Sequence, residues 1–354
     1  MFDRLSVMII EDSPFFRSML AEILRSLKVG KIMQMEDGAQ AITHLRQAAK
    51  NNMTLQALLP DIIICDYVMS PIDGAMVLRW LRQHEESPDR FAPFIMISGA
   101  ADRDKVHQSR DWGVTEFMAK PFSVKSVADH LVAAIEGPRQ FIYTKDYFGP
   151  DRRRQKRQFN GERRDPTEKD VETVYTTNKA KSGNPGAKAY IFRLPNRLRE
   201  KIAGLTRGPL KVDPELLKSA EAQLDRMEND YSDWVRGSLK LLNEALSEAR
   251  SDESGIAKIG AAIVRINKIA HDLRGQGSTF GYPLITSFAK SLYECTLDPG
   301  DVEERLLELV GAHIDGVSAV IREKIKGDGG QLGRELMASL DAAREQFATS
   351  EELR

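Results

Sequence analysis

The stretch "DIIICD" at residues 61–66 decides the fold of the first third of the chain. Its apolar residues follow one another without alternation, which is the pattern of a strand buried on both faces. Strands of this kind belong to parallel sheets that are covered by helices on both sides. The stretch also ends in a carboxylate, Asp66, at the carboxyl end of the predicted strand.

Predicted strands and predicted helices follow one another in turn on either side of this stretch. Short β-rich runs alternate with amphipathic segments of helical period up to about residue 136. The pattern predicts an α/β doubly wound, five-stranded parallel sheet, whose ligand site lies outside the carboxyl ends of the strands. The predicted strands are Leu5–Ile10, Lys31–Met35, Asp61–Cys65, Phe94–Ile97 and Glu116–Ala119, and the predicted helices are Pro14–Leu27, Ala39–Ala49, Gly74–His84, Arg103–Trp112 and Ser123–Ile135.

Polar residues stand at the carboxyl ends of four of these strands. Glu11 and Asp12 follow the first strand, Asp66 the third, Ser98 the fourth and Lys120 the fifth. Three converging carboxylates would repel one another, so we expect a divalent cation and a lysine to balance their charge. Carboxylate oxygens suit Mg²⁺, which also reaches phosphate. The pattern therefore predicts a site of phosphoryl transfer.

Residues 4–136 resemble the receiver domain of two-component response regulators, on the residues just named. The resemblance implies that Asp66 is the phosphorylated aspartate and that its phosphoryl donor is a sensor histidine kinase. It also implies that Glu11, Asp12 and Asp66 bind Mg²⁺ together with the backbone carbonyl of Val68. A receiver that binds partners without being phosphorylated is the alternative, although such domains commonly lose the acids or the lysine.

The resemblance assigns further roles around the phosphoryl group. Ser98 matches the hydroxyl residue that contacts this group, and Lys120 matches the lysine that neutralises it. Phe117 occupies the position of the switch aromatic residue but lacks a tyrosine hydroxyl. The loop after Asp66 reads Met69-Ser70-Pro71, where the family usually has Met-Pro.

Composition limits the class of protein. The chain has 354 residues, a formal net charge of -1 and two distant cysteines, which suits a two-domain protein of a reducing compartment. The first residues do not resemble a signal peptide, and no apolar run approaches the roughly 18–20 residues that span a bilayer. We therefore expect a cytoplasmic protein without a membrane partner.

Residues 139–211 form a predicted charged, flexible linker between a domain at 1–138 and a second domain at 212–326. The segment is rich in charge, Gly and Pro and shows no sustained period. Its basic cluster, Arg152 to Arg164, is interpreted as a solvated linker, with docking to an acidic partner or to the chain's own first domain as the alternative. Nucleic acid is disfavoured as a partner, because only Phe159 interleaves with the basic residues.

From residue 212 the sequence predicts an all-α four-helix bundle. Asp213 and Pro214 suit a helix start, and apolar residues then recur at three- and four-residue steps as far as Leu246. Three more amphipathic segments follow, at about 259–273, 284–295 and 302–325, joined by short loops. Residues 327–354 are predicted to be a C-terminal helical tail.

His271 is the candidate reactive residue of this bundle. Rotation of the second helix by about 100° per residue places the imidazole beside the apolar seam, on a flank that we expect to face water. Gly275 and Ser278 share that flank and would let the surface of another protein approach. Arg274 lies between the flank and the seam.

The spacing His271-x-Leu-Arg-Gly, with Gly281 ten residues after the histidine, resembles the histidine-containing phosphotransfer (Hpt) domain. The resemblance implies that His271 is a phosphoacceptor and that Arg274, in place of the usual lysine, stabilises the phosphoryl group. The segment also resembles the phosphoacceptor helix of histidine kinases, but no region for ATP binding follows it. We therefore expect a phosphorelay protein, not an ATP-dependent kinase, that exchanges phosphate between His271 and an upstream or downstream receiver. The alternative is a response regulator whose bundle serves docking or dimerisation.

Overall fold

The computed structural model describes residues 2–50, 59–99, 111–137, 139–144, 147–151, 171–175, 188–192, 194–203, 208–251, 256–278, 280–297 and 304–351. The chain divides into two compact units. One consists of residues 1–119 with 123–224, and the other consists of residues 120–122 with 225–354.

The first unit contains the predicted five-stranded sheet, in the order β2-β1-β3-β4-β5. Strand β1 pairs in parallel with β2 and β3, and β3 pairs in parallel with β4. Strands β1 and β3 are buried along their whole length, which the uninterrupted apolar run had predicted for β3. The strands are β1 (Ser6–Ile10), β2 (Lys31–Met35), β3 (Ile62–Asp66), β4 (Phe94–Gly99) and β5 (Glu116–Lys120).

Helices connect these strands, and local sequence fixes where several of them begin. Pro14 starts α1, where its missing N–H costs nothing. The side chain of Asp73 accepts from the backbone N–H of Met76 and caps α3, and Ser123 caps α4 in the same way. The predicted helix Arg103–Trp112 lies almost entirely outside the described residues. The helices are α1 (Pro14–Ser26), α2 (Gly38–Lys50), α3 (Gly74–Gln83) and α4 (Val124–Glu136).

A second, four-stranded antiparallel sheet lies in the region predicted to be a flexible linker, in the order β7-β6-β9-β8. The prediction of an unstructured linker is therefore wrong for these residues, whereas the basic cluster at 152–164 lies outside the described part of the chain. The strands are β6 (Phe141–Tyr143), β7 (Phe148–Pro150), β8 (Val171–Tyr175) and β9 (Lys188–Phe192).

Aromatic residues pack this second sheet against the fold that contains the parallel sheet. Phe91, which precedes β4, contacts Phe141, Phe148 and Phe192 at ring-centroid distances of 5.0, 5.4 and 5.6 Å. The strands are short, and longer polar or charged segments separate β7 from β8 and β8 from β9, so averaged composition conceals them. Aromatic side chains bury large apolar areas, so this packing favours the added sheet although composition alone marks the region as polar.

Arg82 of α3 is fully buried beneath the same sheet. Its guanidinium donates to the carbonyl oxygens of Gly113 and Arg90, at 3.0 and 2.7 Å, and lies 5.2 Å from the ring centroid of Phe141. Burial lowers the pKa of Arg82 to about 10, which leaves it charged at neutral pH. The carbonyls and the ring replace the water that this cation gives up.

The residues that follow β9 pack against other parts of the first unit. Helix α5 (Arg197–Ala203) is tied to α4 by Asn196, whose side chain donates to the Ile135 carbonyl at 2.7 Å. Lys201 pairs with Asp61, which lies just before β3, at 2.7 Å. Helix α6 (Pro214–Arg226) follows.

In the region of the predicted bundle, the described residues form helices and turns between them. The helix expected to run on from residue 213 is interrupted at Met227, so that α6 and α7 are separate. Each of the helices α7 to α10 packs against the next one along the chain. Helix α10 also packs against α7, so the four helices form a closed ring. Helix α11 packs on α10 and lies in the region predicted to be a C-terminal helical tail. The helices are α7 (Glu228–Arg250), α8 (Ile256–Gln276), α9 (Pro283–Leu297), α10 (Glu304–Arg322) and α11 (Gly330–Glu351).

Candidate functional site

Three carboxylates converge at the carboxyl edge of the parallel sheet. Glu11, Asp12 and Asp66 each place a side-chain oxygen within 4.8 Å of the others. Glu11 and Asp12 follow β1, and Asp66 closes the adjacent strand β3, so the pairing of Ile10 with Cys65 brings the acids together. The structure therefore assembles the acidic cluster that the order of the strands predicted.

Backbone contacts fix the orientation of Asp66. The N–H of Tyr67 donates to Oδ1 of Asp66 at 2.9 Å. The start of α3 also approaches closely, because a Cβ atom at Gly74 would lie only 2.2 Å from the carbonyl oxygen of Asp66. Glycine at position 74 thus allows α3 to begin directly against the strand end.

The acid at position 11 is fully buried and is also held by its surroundings. Oε1 of Glu11 accepts from the N–H of Ser13 at 3.2 Å, and its backbone carbonyl accepts from Arg17 at 2.7 Å. Asp12 is half-buried, so the cluster opens toward solvent on the side of that residue. A partner or a small phosphoryl donor could approach from there.

The other residues expected at this site lie on neighbouring strands. Ser98 is in β4 and Lys120 is the last residue of β5, and both are buried. Phe117 of β5 and Val68, two residues past Asp66, are partly buried against the core on this side of the sheet. The roles predicted for these four residues stay predictions.

The donor set of the acidic cluster fits a magnesium ion. Mg²⁺ binds oxygen at about 2.0–2.1 Å in an octahedron, so opposite ligands lie up to about 4.2 Å apart. Side-chain oxygens within 4.8 Å of one another need only small rotations to reach that spacing. Glu11, Asp12 and Asp66 are therefore suitable ligands, and a bound cation would neutralise their repulsion.

The expectation that His271 faces water is wrong. The residue is 2% exposed, and its imidazole lies between the core of the bundle and the ring of Tyr293, with ring centroids 5.5 Å apart. Arg274 is also buried, and its Nη2 atom lies 3.2 Å from Nδ1 of His271. The described structure thus brings the two residues together but encloses them.

The error has a geometric cause. A helical projection locates the apolar seam of α8, but a helix in a closed ring of four contacts two neighbours, and its buried arc is correspondingly wider. Asn267 contacts Tyr293 and Ser278 contacts Thr286, so α8 and α9 run antiparallel and α9 covers the flank of His271. No feature of the sequence identified Tyr293 as the covering residue.

The exposure of the small residues after His271 also differs from the prediction of a docking flank that faces water. Gly275 is buried, and only Ser278 of this pair is exposed. A Cβ atom at Gly277 would lie 2.6 Å from Oγ1 of Thr286 and 2.7 Å from the Tyr282 carbonyl oxygen, and Gly281 has a positive φ of 80°. Gly277 and Gly281 therefore serve the tight reversal between α8 and α9.

His313 of α10 is a second buried imidazole, which the sequence did not single out. Nδ1 lies 2.6 Å from the carbonyl oxygen of Leu309, and Nε2 lies 2.8 Å from Oγ of Ser291 in α9. Burial, followed by the charge of Arg344, lowers the pKa of His313. Both ring nitrogens are used, which is the arrangement of a structural histidine.

Comparison with known proteins identifies the family of residues 7–133. Residues 7–133 match the family model of the response regulator receiver domain. The transcriptional regulatory protein PdtaR of Mycobacterium tuberculosis is 31% identical over 130 residues, which are 37% of this chain and 54% of PdtaR. The chemotaxis protein CheY of Bacillus subtilis is 27% identical over 129 residues, which are 36% of this chain and 92% of CheY. The chain thus spans about half the length of PdtaR.

Among solved structures, one similar fold is the receiver domain of a sensor histidine kinase from Pseudomonas aeruginosa, which holds a magnesium ion in its active site cleft. It is 24% identical, with a TM-score of 0.30, and the match covers 36% of this chain and 93% of that one. Separately, none of the helices in the described part of the chain has the length and apolar character needed to cross a bilayer.

Proposed function

Because residues 7–133 form a receiver domain, which accepts a phosphoryl group on an aspartate in two-component signalling, we propose that Asp66 is the acceptor in this chain. The observation that supports this assignment is the acidic cluster, in which the oxygens of Glu11, Asp12 and Asp66 lie within 4.8 Å of one another at the sheet edge. The donor is the phosphohistidine of a sensor kinase.

Each residue of this site has its own role in the transfer. A carboxylate oxygen of Asp66 attacks phosphorus as the P–N bond of the donor breaks, and the electron pair returns to the donor imidazole. Bound Mg²⁺ supplies charge neutralisation at the phosphoryl oxygens. Lys120 and Ser98 neutralise and orient the same oxygens, since phosphoryl transfer depends mostly on position and charge. The Tyr67 amide keeps the Asp66 carboxylate in place.

The test uses phosphoramidate, a small donor with a P–N bond, so that no cognate kinase is needed. With Mg²⁺, wild type and Asp129→Asn are expected to acquire a label that hydroxylamine removes, and EDTA is expected to prevent it. Asp129 is an exposed carboxylate of α4 and serves as the matched control. Asp66→Asn is expected to remain unlabelled. Labelling of Asp66→Asn at the wild-type rate would contradict the proposal.

Phosphotransfer through His271 is the second candidate function, and it concerns the helical unit. The sequence around His271 and the closed ring of α7 to α10 favour it, because the Hpt resemblance implies a four-helix bundle. The burial of His271 opposes free exchange with a partner, so the imidazole would have to be uncovered first. Transfer would then run between His271 and an aspartate of this chain or of a partner receiver.

The competing interpretation is that the bundle serves docking or dimerisation and that His271 is structural. Label chemistry separates the two, because phosphohistidine is stable to base and labile to acid, whereas aspartyl phosphate is labile to base and hydroxylamine. A phosphorylated donor receiver is incubated with wild type, Asp66→Ala and His271→Ala. The relay hypothesis requires a base-stable label in Asp66→Ala that His271→Ala lacks.

A further inference from the structure

The hydrogen bond between Arg274 and His271 determines the state of the imidazole. Nη2 of Arg274 lies 3.2 Å from Nδ1 of His271. A guanidinium offers donors only, so Nδ1 accepts in this bond and the neutral ring carries its proton on Nε2. A neutral imidazole has a single nitrogen with a lone pair in the ring plane. Arg274 therefore occupies the one position from which the ring could act as a nucleophile.

Tyr293 of α9 holds Arg274 in this position. The guanidinium carbon lies 4.4 Å from the centroid of the Tyr293 ring, which is the geometry of a cation–π contact. The backbone of Tyr293 is fixed in turn, since its carbonyl accepts from Nδ2 of Asn267 of α8 at 2.9 Å. His271, Arg274 and Tyr293 are all buried. The cation is thus confined between the imidazole and the tyrosine ring.

We propose that Arg274, supported by the ring of Tyr293, is a lock that keeps His271 unreactive until the arginine leaves Nδ1. The inference rests on the proposed phosphotransfer role of His271 and assigns its regulation. In the locked state the ring has neither a usable lone pair nor a surface that a donor can reach.

Release of Arg274 makes the transfer chemically possible. A released neutral imidazole can carry its proton on either nitrogen, so the lone pair of Nδ1 or, after the proton has moved to Nδ1, that of Nε2 forms the N–P bond while the P–O bond to the donor aspartate breaks. The carboxylate leaves with the electron pair, and the ring proton remains on the nitrogen that does not bind phosphorus. The displaced guanidinium can pair with the phosphoryl oxygens, because Arg–phosphate contacts are strong charge-assisted hydrogen bonds. The same cation would first block the imidazole and then neutralise the group that it accepts.

Carbethoxylation with diethyl pyrocarbonate tests the lock on the full chain, because the reagent needs both a ring lone pair and access. Peptide mass spectrometry follows each histidine separately. In wild type, His271 is expected to react far more slowly than the half-buried His44. Arg274→Ala is expected to raise the His271 rate about tenfold or more, since a hydrogen bond to a charged group is lost.

His313 is the internal control for unfolding. It lies in the same bundle, is fully buried and uses both ring nitrogens, so it becomes reactive only when the bundle opens. An accelerated His271 with an unchanged His313 supports the lock. An unchanged His271 rate in Arg274→Ala overturns it, and so does a wild-type His271 that reacts as fast as His44.

Two substitutions at position 293 separate the ring from the hydroxyl. Tyr293→Phe keeps the face that contacts Arg274 and is expected to leave the His271 rate at the wild-type value. Tyr293→Leu removes the ring and is expected to raise the His271 rate. This variant also tests the lock if Arg274→Ala unfolds the bundle. Equal rates in the two variants overturn the role of the ring.

Phosphoramidate labelling of Tyr293→Leu, which keeps Arg274, distinguishes failure of the lock from failure of the relay. A faster base-stable label on His271 than in wild type supports both. Faster carbethoxylation without any phosphoryl label leaves the lock standing and rejects the relay. An equally fast phosphoryl label on wild-type His271 supports the relay and overturns the lock.

Discussion

The ring of Phe91 lies edge-on against the ring of Phe141, with the centroids 5.0 Å apart. Phe91 precedes β4 of the parallel sheet, and Phe141 begins β6 of the added antiparallel sheet. Arg82 lies against the same Phe141 ring and donates to two carbonyls of the receiver domain. The first unit therefore includes buried residues from outside the segment 7–133 that matches the receiver family.

Phe141→Ala is expected to destabilise the first unit by about 3–5 kcal/mol, as loss of a buried phenylalanine usually does. Tyr143→Ala is the matched control on the same strand, because Tyr143 is 48% exposed and should cost less than about 1 kcal/mol. Guanidinium denaturation in a Trp234→Phe background follows Trp80 and Trp112, which report the first unit alone. Equal effects of the two substitutions would show that the added sheet does not stabilise the receiver.

Removal of Mg²⁺ should expose the repulsion within the acidic cluster. Glu11→Gln is expected to raise the thermal midpoint of the first unit in EDTA, because one of three adjacent charges disappears. The same variant should lose most of the stabilisation by Mg²⁺, which for wild type reaches about 2.7 kcal/mol at 100 times Kd.

Thermal unfolding with and without Mg²⁺ measures both effects, and Glu22→Gln, a partly exposed acid of α1 outside the cluster, controls for net charge. A wild-type response to Mg²⁺ in Glu11→Gln would exclude Glu11 as a ligand.

Gly74→Ala should disturb the acceptor through the backbone. The added Cβ would lie 2.2 Å from the carbonyl oxygen of Asp66 and 3.0 Å from the Met96 sulfur, so α3 or the strand end must shift. We expect a loss of about 1–3 kcal/mol and slower phosphoramidate labelling of Asp66. Gly237→Ala is the control, because that helical glycine has open space around it and should gain about 1 kcal/mol. Normal labelling of Gly74→Ala would mean that the acceptor tolerates the shift.

The parallel sheet and its acidic edge could be predicted because their signals are local. The buried run that ends in Asp66 specifies a strand and a carboxylate together, and strand order then brings Glu11 and Asp12 beside it. Each step uses only residues adjacent in sequence and the general behaviour of parallel sheets. The conformation of Asp66, by contrast, depends on the hydrogen bond from the Tyr67 N–H and on the close approach of Gly74, which no local sequence pattern specifies.

The added sheet and the burial of His271 could not be predicted, because both depend on contacts between distant segments. Phe141 and Phe192 are 51 residues apart and pair across charged sequence. His271 and Tyr293 lie on different helices, and a projection of one helix contains no information about its neighbour. Local periodicity identified the helices but not the width of their buried faces.

His313 makes the stability of the bundle depend on pH. Burial lowers its pKa in the folded state, while the unfolded chain keeps the ordinary value of about 6.5. The unfolded state therefore binds more protons as pH falls below about 6.5, and the stability present above that pH is progressively lost. Protonated His313 would still lie against the Leu309 carbonyl. Its positive charge would also be near that of Arg344, and these two charges repel each other.

Hydrogen exchange of peptides from α9 and α10, corrected for intrinsic rates, measures this loss between pH 7.5 and 5. Wild type should lose protection over that range, whereas His313→Gln should be less stable at pH 7.5 but change less with pH. His130→Gln is the control, because the pKa of His130 is also lowered by burial but the residue lies in α4 of the first unit. Should the bundle of His313→Gln lose as much protection as wild type, the acid sensitivity must come from another group, since this substitution removes the only proton-binding site at position 313.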